Sequence, residues 1–451
     1  MSKLANIPQV DQSELLKMYR FAISQKENVL VIGPSGAGKT DMAFQACAET
    51  NKKCIYWNMS VMERPDIQGL PVVSEDKRTA SFAPNEEMPF VGVDTIRDER
   101  ALNTIISALE SAQGSALSTQ FLSDAKKALA SVKENIAKAE LSKASGFFDA
   151  GKLSKAGIAP GVKGNEESTN VLLLDEVDKT PPENLQPLLE LLLYRSINGK
   201  PIDIQSVIMT GNLPDEQAYS EPLSHAITNR AMIFELKPNP KVWLAWGAEN
   251  NLHPIVLGFL SREEYANDYF NKRPGNNEMY SYAYTTPRSW TKLSKILDKR
   301  DALEKAGEHK LLIDSDQMIS SIIGEEATTK LQVWLDYYRK YDKLIDAVFD
   351  CKDGEAPDEP DAIIVVALAI ANKLGKYTRD SDDTKSVQKK AVHIFNWISK
   401  NTDKDVKLCA MRSSYNRDAF LKHGLHELEE TKQQWDEILE MYKAVNSANK
   451  I

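Results

Sequence analysis

The sequence predicts an α/β fold: a parallel sheet with flanking helices, followed by helical regions. Three stretches carry that expectation. VLVI at 29–32 runs into the glycine-rich turn GPSGAGKT, VLLLDE at 171–176 ends an apolar run in two carboxylates, and VIMTGN at 207–212 ends another in an amide. Short apolar runs bounded by turn residues are the pattern of strands buried on both faces. After residue 240, helical spacing replaces them.

Taken in order, residues 11–25 alternate apolar and polar at helical spacing, and the strand 29–32 follows. The spacing Gly33-x-x-x-x-Gly38-Lys39-Thr40 is a complete Walker A loop. Gly33, Gly36 and Gly38 let the backbone approach a ligand in conformations that a Cβ forbids. The turn Gly33, Pro34, Ser35, Gly36, Ala37 and Gly38 then wraps an anion at the positive end of the next helix, with amide N–H groups from every residue but Pro34, which has none. Lys39 supplies charge for terminal phosphates, and Thr40 offers a hydroxyl to Mg²⁺.

Residues 41–50 continue that helix, and KCIYW at 53–57 reads as the second strand. The stretch 66–85, with its Gly-Leu-Pro and short β-rich runs, predicts a hairpin-like insertion. Residues 94–168 differ in composition. Ala, Leu, Lys and Glu dominate 97–112 and 118–144, and Leu122, Ala125, Leu129, Val132 and Ile136 recur at three- and four-residue steps. An amphipathic helical hairpin is expected there, followed by a Gly/Lys/Ser-rich tail at 146–168. Its role is open between a solvated insertion and a docking arm for a partner.

The core resumes at Val171. Asp175-Glu176 at the end of VLLLDE form a Walker B pattern about 135 residues after the loop. Asp175 is expected to hold the Mg²⁺ shell, through water, and Glu176 to orient and deprotonate an attacking water. A helix is expected at 183–195, then a hairpin around Asn198-Gly199. Asn212, after the strand 207–212, is open between a turn asparagine and a holder of the lytic water. Arg230, between a short helix and the strand MIFEL, is open between a surface arginine and a charge delivered to a phosphate. Pro238 and Pro240 mark a domain hinge. Helices are expected at 241–260, 287–299 (with Pro287-Arg288 at its start), 314–350, 361–377, 383–400 and 417–446.

Composition bounds the function. The chain has 451 residues, room for about three domains, with 56 Lys+Arg against 65 Asp+Glu, a net charge of −9. That excess argues against bulk binding to nucleic acid, although a local basic patch is compatible with it. Cys47, Cys54, Cys351 and Cys409 form no CxxC pair and read as reduced thiols in a cytoplasmic protein. His423 and His426 read as solvated histidines rather than a metal site. No apolar signal core opens the sequence, and the apolar run Ala362 to Ala371 is too short for a membrane span and reads as a buried helix.

In this order, GPSGAGKT, LLLDEVDKTPPENLQPLLELL, TGN, EPLSHAITNR and TPRSW resemble an AAA+ ATPase, in particular the MoxR-like branch with its bacterial and phage members. W-x-x-W-x-x-x-N-x-x-H-P from Trp243 to Pro254 and the acidic helical C-terminal region are similar to that branch too. The resemblance covers most of the chain except 94–168. It implies a P-loop NTPase sheet in a large domain at 1–240, a helical lid at 241–305 and a helical region at 306–451. It implies ATP and Mg²⁺ as ligands, Asn212 as sensor 1, Arg230 as the arginine finger and Arg288 as sensor 2 on the lid. Members usually form homo-oligomeric hexameric rings and often work with a partner carrying a von Willebrand factor A domain or on a client protein. Asn229-Arg230-Ala231 departs from the usual Asp-Arg-Phe, and the long insertion is not a standard part.

The leading expectation is therefore an ATP-driven ring that remodels a protein or protein complex. Two other readings compete. One is a nucleic-acid-associated motor of McrB-like restriction type, whose relatives use GTP. The other is a nucleotide-gated scaffold with little turnover, against which Glu176 argues.

Overall fold

A computed structural model describes residues 7–73, 80–83, 103, 106, 126–127, 129–130, 170–213, 225–272, 283–308, 315–415, 417–429 and 432. The chain divides into two compact units. The first comprises Met1–Val10, Glu14–Pro34 and Lys39–Leu236; the second comprises Asp11–Ser13, Ser35–Gly38 and Lys237–Ile451.

In the first unit β1 (Gln9–Val10) precedes α1 (Gln12–Gln25), which buries Leu15, Tyr19, Ala22 and Ile23 at helical spacing. Next come β2 (Asn28–Ile32), buried at every position, α2 (Lys39–Glu49) and β3 (Lys53–Asn58). The expected hairpin at 66–85 forms from β4 (Leu70–Val73) and β5 (Ala80–Ala83), paired antiparallel, but its first residues belong to a short helix, α3 (Arg64–Gln68). Pro65 in the first turn and the capping box between Glu63 and Asp66 favour that helix. β6 (Asn170–Asp175) leads into a short 3₁₀ turn at Val177–Lys179 and then α4 (Pro182–Tyr194).

The hairpin of β7 (Ser196–Ile197) and β8 (Lys200–Pro201) turns at Asn198 and Gly199, with φ of 52° and 70°. Both values suit a two-residue turn of left-handed residues. Glu190 holds this turn, accepting from the amides of Asn198 (3.1 Å) and Gly199 (2.8 Å). β9 (Ser206–Gly211), α5 (His225–Thr228) and β10 (Met232–Leu236) complete the unit.

Six strands form one parallel sheet in the order β1-β10-β2-β9-β6-β3. The register aligns the carboxyl ends: Ile32 opposes Gly211, and Asp175 opposes Asn58. Gly33, Asn212 and Asp175 therefore share one edge of the sheet, where open α/β folds bind ligands.

The second unit is helical. The expected helix 241–260 is two helices, α6 (Pro240–Glu249) and α7 (Pro254–Ser261). Asn251 has φ 55°, and Pro254 opens α7 at a favoured position, so the chain breaks between them. The sequence reading missed α8 (Glu263–Tyr269). α9 runs from Pro287 to Lys305, capped by Thr286 and Ser289. The expected helix 314–350 is three helices, α10 (Ser315–Ile323), α11 (Glu325–Lys340) and α12 (Asp342–Phe349), with Gly324 at φ 82° between the first two.

α13 (Pro360–Asp380) buries the whole run Ala362 to Ala371 apart from the half-buried Ile363, as expected of a core helix. α14 (Thr384–Asn401), α15 (Lys404–Ser414, not anticipated) and α16 (Arg417–Lys422) follow. One apolar core joins Trp243, Phe259 and Trp290 to Trp334, Leu368 and Phe395, so the stretches 241–305 and 306–451 that the sequence reading separates share a core. His423 corrects another expectation. It is buried, its Nδ1 bonded to Thr384 Oγ1 (3.0 Å) and its Nε2 to the Thr378 carbonyl (3.1 Å), whereas His426 is exposed.

The expected helical hairpin at 97–144 lies outside the described residues, except that positions 103, 106, 126–127 and 129–130 are helical. The tail 146–168 and the end of the expected helix 417–446 lie outside them too. Among the described residues no helix is long and apolar enough to cross a membrane.

Candidate functional site

The loop after β2 is shaped by two different demands on glycine. A Cβ on Gly33 would come within 2.9 Å of Leu236 Cβ, so close packing requires the first glycine. Gly36 and Gly38 have φ of 75° and 92°, which side chains rarely adopt. Among the described residues nothing lies within 4 Å of the place a Cβ on Gly38 would take.

Lys39 opens α2 and is 7% exposed. Its Nζ donates to the carbonyls of Gly33 (2.7 Å) and Pro34 (2.9 Å) and to Asn212 Oδ1 (3.4 Å). The ammonium is thus folded onto its own loop and touches the amide at the end of β9. Behind it, the Tyr19 hydroxyl donates to the Lys39 carbonyl at 3.3 Å. Burial first, and then the charge of Asp175, push the Tyr19 phenol far above its ordinary value, so it stays a neutral donor.

Asp175 collects three hydroxyls. Thr40 Oγ1 lies 3.1 and 3.2 Å from its two oxygens, Tyr56 OH donates to Oδ2 at 3.1 Å, and Thr210 Oγ1 donates to Oδ1. Burial and then Asp175 hold the Tyr56 phenol above its usual range. Hard oxygen donors suit a magnesium ion that keeps most of its shell as water and phosphate oxygen. Thr40 with Asp175 fits that description. Among the described residues there is no group of three or more His, Cys, Asp and Glu placed to hold a metal.

Asp178 organises the third member of the cluster. It is 8% exposed, accepts the Asn212 amide at Oδ1 (3.1 Å) and receives Asn212 Nδ2 at Oδ2 (3.4 Å). With its nitrogens turned toward Asp178, Asn212 presents its oxygen to Lys39.

Glu176 has left-handed backbone, φ 57° and ψ 43°, at the start of the 3₁₀ turn. Such a conformation is costly for a non-glycine residue and concentrates at functional sites. Its Oε1 accepts from Lys179 Nζ at 2.9 Å. The structure thus brings together Lys39, Thr40, Asp175 and Asn212, and ties Glu176 to Lys179. Arg230 is elsewhere. Its carbonyl accepts from Asn28 Nδ2 (2.8 Å) at the start of β2, the end of the strand opposite the loop. Its Nη1 donates to the Ala226 carbonyl, and its Nε is enclosed without a hydrogen-bond partner among the described residues.

Within the second unit the Arg288 amide donates to the Gly36 carbonyl at 3.1 Å, and its side chain is exposed. A Cβ on Gly36 would meet Thr286 Oγ1 at 3.0 Å.

Sequence reasoning missed Asp178, Thr210 and Tyr56. The third carboxylate of DEVD was a usable signal for Asp178. Thr210 and Tyr56 reach Asp175 only through the pairing of β9 and β3 with β6. No protein-family model matches this chain, and no curated protein matches it.

Proposed function

We propose that this chain is an ATP-binding and ATP-hydrolysing P-loop protein of AAA+ type, similar to the MoxR-like branch, which assembles into a ring and remodels a protein or protein complex. One observation carries the reading: Lys39 against Asn212, with Thr40 against Asp175, at the carboxyl ends of adjacent parallel strands.

In this account ATP lays its phosphates along the loop 33–40, against the amide N–H groups of its residues other than Pro34. Lys39 leaves the carbonyls of Gly33 and Pro34 and donates to phosphate oxygens instead. Thr40 and Asp175 would hold Mg²⁺, which when bound neutralises charge on the β- and γ-phosphates. Thr210 and Tyr56 fix the Asp175 carboxylate, and Asp178 fixes Asn212. Glu176 exchanges Lys179 for the attacking water. As the water oxygen bonds to the γ-phosphorus, its proton passes to the Glu176 carboxylate and the bond to the ADP oxygen breaks. Arg230 acts on a neighbouring subunit's nucleotide, and Arg288 on the terminal phosphate.

Titrating the full chain with ATP and with GTP in the presence of Mg²⁺ tests the reading. It predicts saturable ATP binding that Lys39→Ala removes, because the loop loses its only side-chain cation. Equal binding by Lys39→Ala contradicts it, and a preference for GTP moves the assignment to the McrB-like group.

A further inference from the structure

The second unit contains an open, surface-facing cavity of about 570 Å³ that plays no part in the site above. One face of α14 forms most of its lining. Lys385, Lys389 and His393 recur every four residues along that face, with Val392 beside His393, and Cys351 and Leu428 also line the cavity. Four-residue steps stack side chains on one side of a helix.

Four carboxylates close to this face in sequence are engaged elsewhere, Glu427 with His426 among them. Asp350 pairs with Lys390 (3.2 Å), Asp382 pairs with Lys422 (2.6 Å), and Asp383 accepts the Ser386 amide (3.1 Å) as the α14 cap. Neither Lys385 nor Lys389 has an ion-pair partner among the described residues. By contrast Lys340, Lys373 and Lys376 in the same unit all pair with acids. Two lysines side by side on a cavity wall, with no ion-pair partner among the described residues, make a local positive potential. His393 adds a ring whose buried Nε2 has no hydrogen-bond partner among the described residues.

We infer that this cavity binds a small phosphorylated organic molecule, with its phosphate at Lys385 and Lys389 and its body against Val392 and Leu428. The chemistry favours phosphate over carboxylate. Lysine ammonium groups are compact charges on flexible stems that can surround a tetrahedral oxyanion, whereas the planar fork that matches a carboxylate belongs to arginine, and no arginine is among the described residues of the lining. The volume lies in the range of small-molecule pockets and exceeds what one inorganic phosphate fills.

Cys351 on the cavity wall gives a local readout that the Walker loop does not share. Alkylation of the full chain, followed peptide by peptide by mass spectrometry, reports Cys351 with Cys409 as an internal control. The probe is inorganic pyrophosphate, with citrate at matched ionic strength for comparison. Only unoccupied sites react, so at about four times Kd the Cys351 rate should fall about fivefold, with Cys409 unchanged. Lys385→Gln/Lys389→Gln should abolish the protection; both side chains are exposed, so the fold does not depend on them. An unaltered rate with pyrophosphate, protection that survives the double substitution, or equal protection by citrate would each overturn the proposal.

Discussion

Asn28 and Arg230 are joined by one hydrogen bond, from the Asn28 side-chain amide to the Arg230 carbonyl at 2.8 Å. It fixes Arg230 at the amino end of β2, while the glycine-rich loop begins at the carboxyl end, after Ile32. Four strand steps of about 3.3 Å separate the two ends by about 13 Å.

A guanidinium so placed, and turned back onto Ala226, does not serve its own loop. Under the AAA+ proposal it serves the next subunit's. Arg230→Ala is then expected to bind ATP but turn over about a thousand-fold more slowly even when assembled. Mixing it with Lys39→Ala should restore part of the activity, since an intact loop meets an intact finger. The check is ATPase rate against mixing ratio, after subunit exchange is demonstrated. No recovery at any ratio counts against action in trans.

The second unit carries a pH-sensitive pair. His253, 1% exposed, bonds Asp301 Oδ2 through Nε2 at 3.1 Å, and Arg300 reaches Oδ1 at 3.2 Å. Burial pushes the Asp301 carboxyl up, but His253 and Arg300 outweigh it and hold the carboxyl below its usual range. A depressed carboxylate contributes stability above its unfolded pKa, about 3.9 for Asp, and loses it as pH falls through the lower folded value. Asp301→Asn should therefore cost about 1–3 kcal/mol at neutral pH and distinctly less in strong acid. Urea unfolding at the two pH values measures the difference; an equal cost at both contradicts the pairing.

Gly375 lies where α13 passes the end of α15. A Cβ there would stand 2.7 Å from the Ser413 carbonyl oxygen and 3.1 Å from Ser414 Cα, both backbone atoms that cannot swing aside. Gly375→Ala is expected to destabilise the second unit by about 1–3 kcal/mol, lowering Tm by about 2–4 °C for each kcal/mol. Calorimetry decides it, and an unchanged or higher Tm would show that the helices separate freely.

Much of this was legible from local pattern. The loop 33–40, the strands ending at Ile32, Asp175 and Gly211, and the Asn198-Gly199 turn each announce themselves within a few residues. What stayed hidden depends on distant partners. Thr210 and Tyr56 meet Asp175 through strand register, and nothing local marks either one. His423 looks solvated in sequence, yet Thr384 and Thr378, about forty residues away, enclose it. The helix breaks near Asn251 and Gly324 are set by single left-handed residues inside otherwise continuous helical spacing.

The most direct measurement concerns Glu176, whose left-handed backbone and Lys179 partner place it beside the Asp175 cluster without joining it. ATP affinity and phosphate release are measured together on the native chain and on Glu176→Gln, which keeps the shape but not the base. The account predicts unchanged affinity with release slowed by about a hundred-fold or more. Release at the native rate by Glu176→Gln, or no release by the native chain in its assembled state, would contradict it.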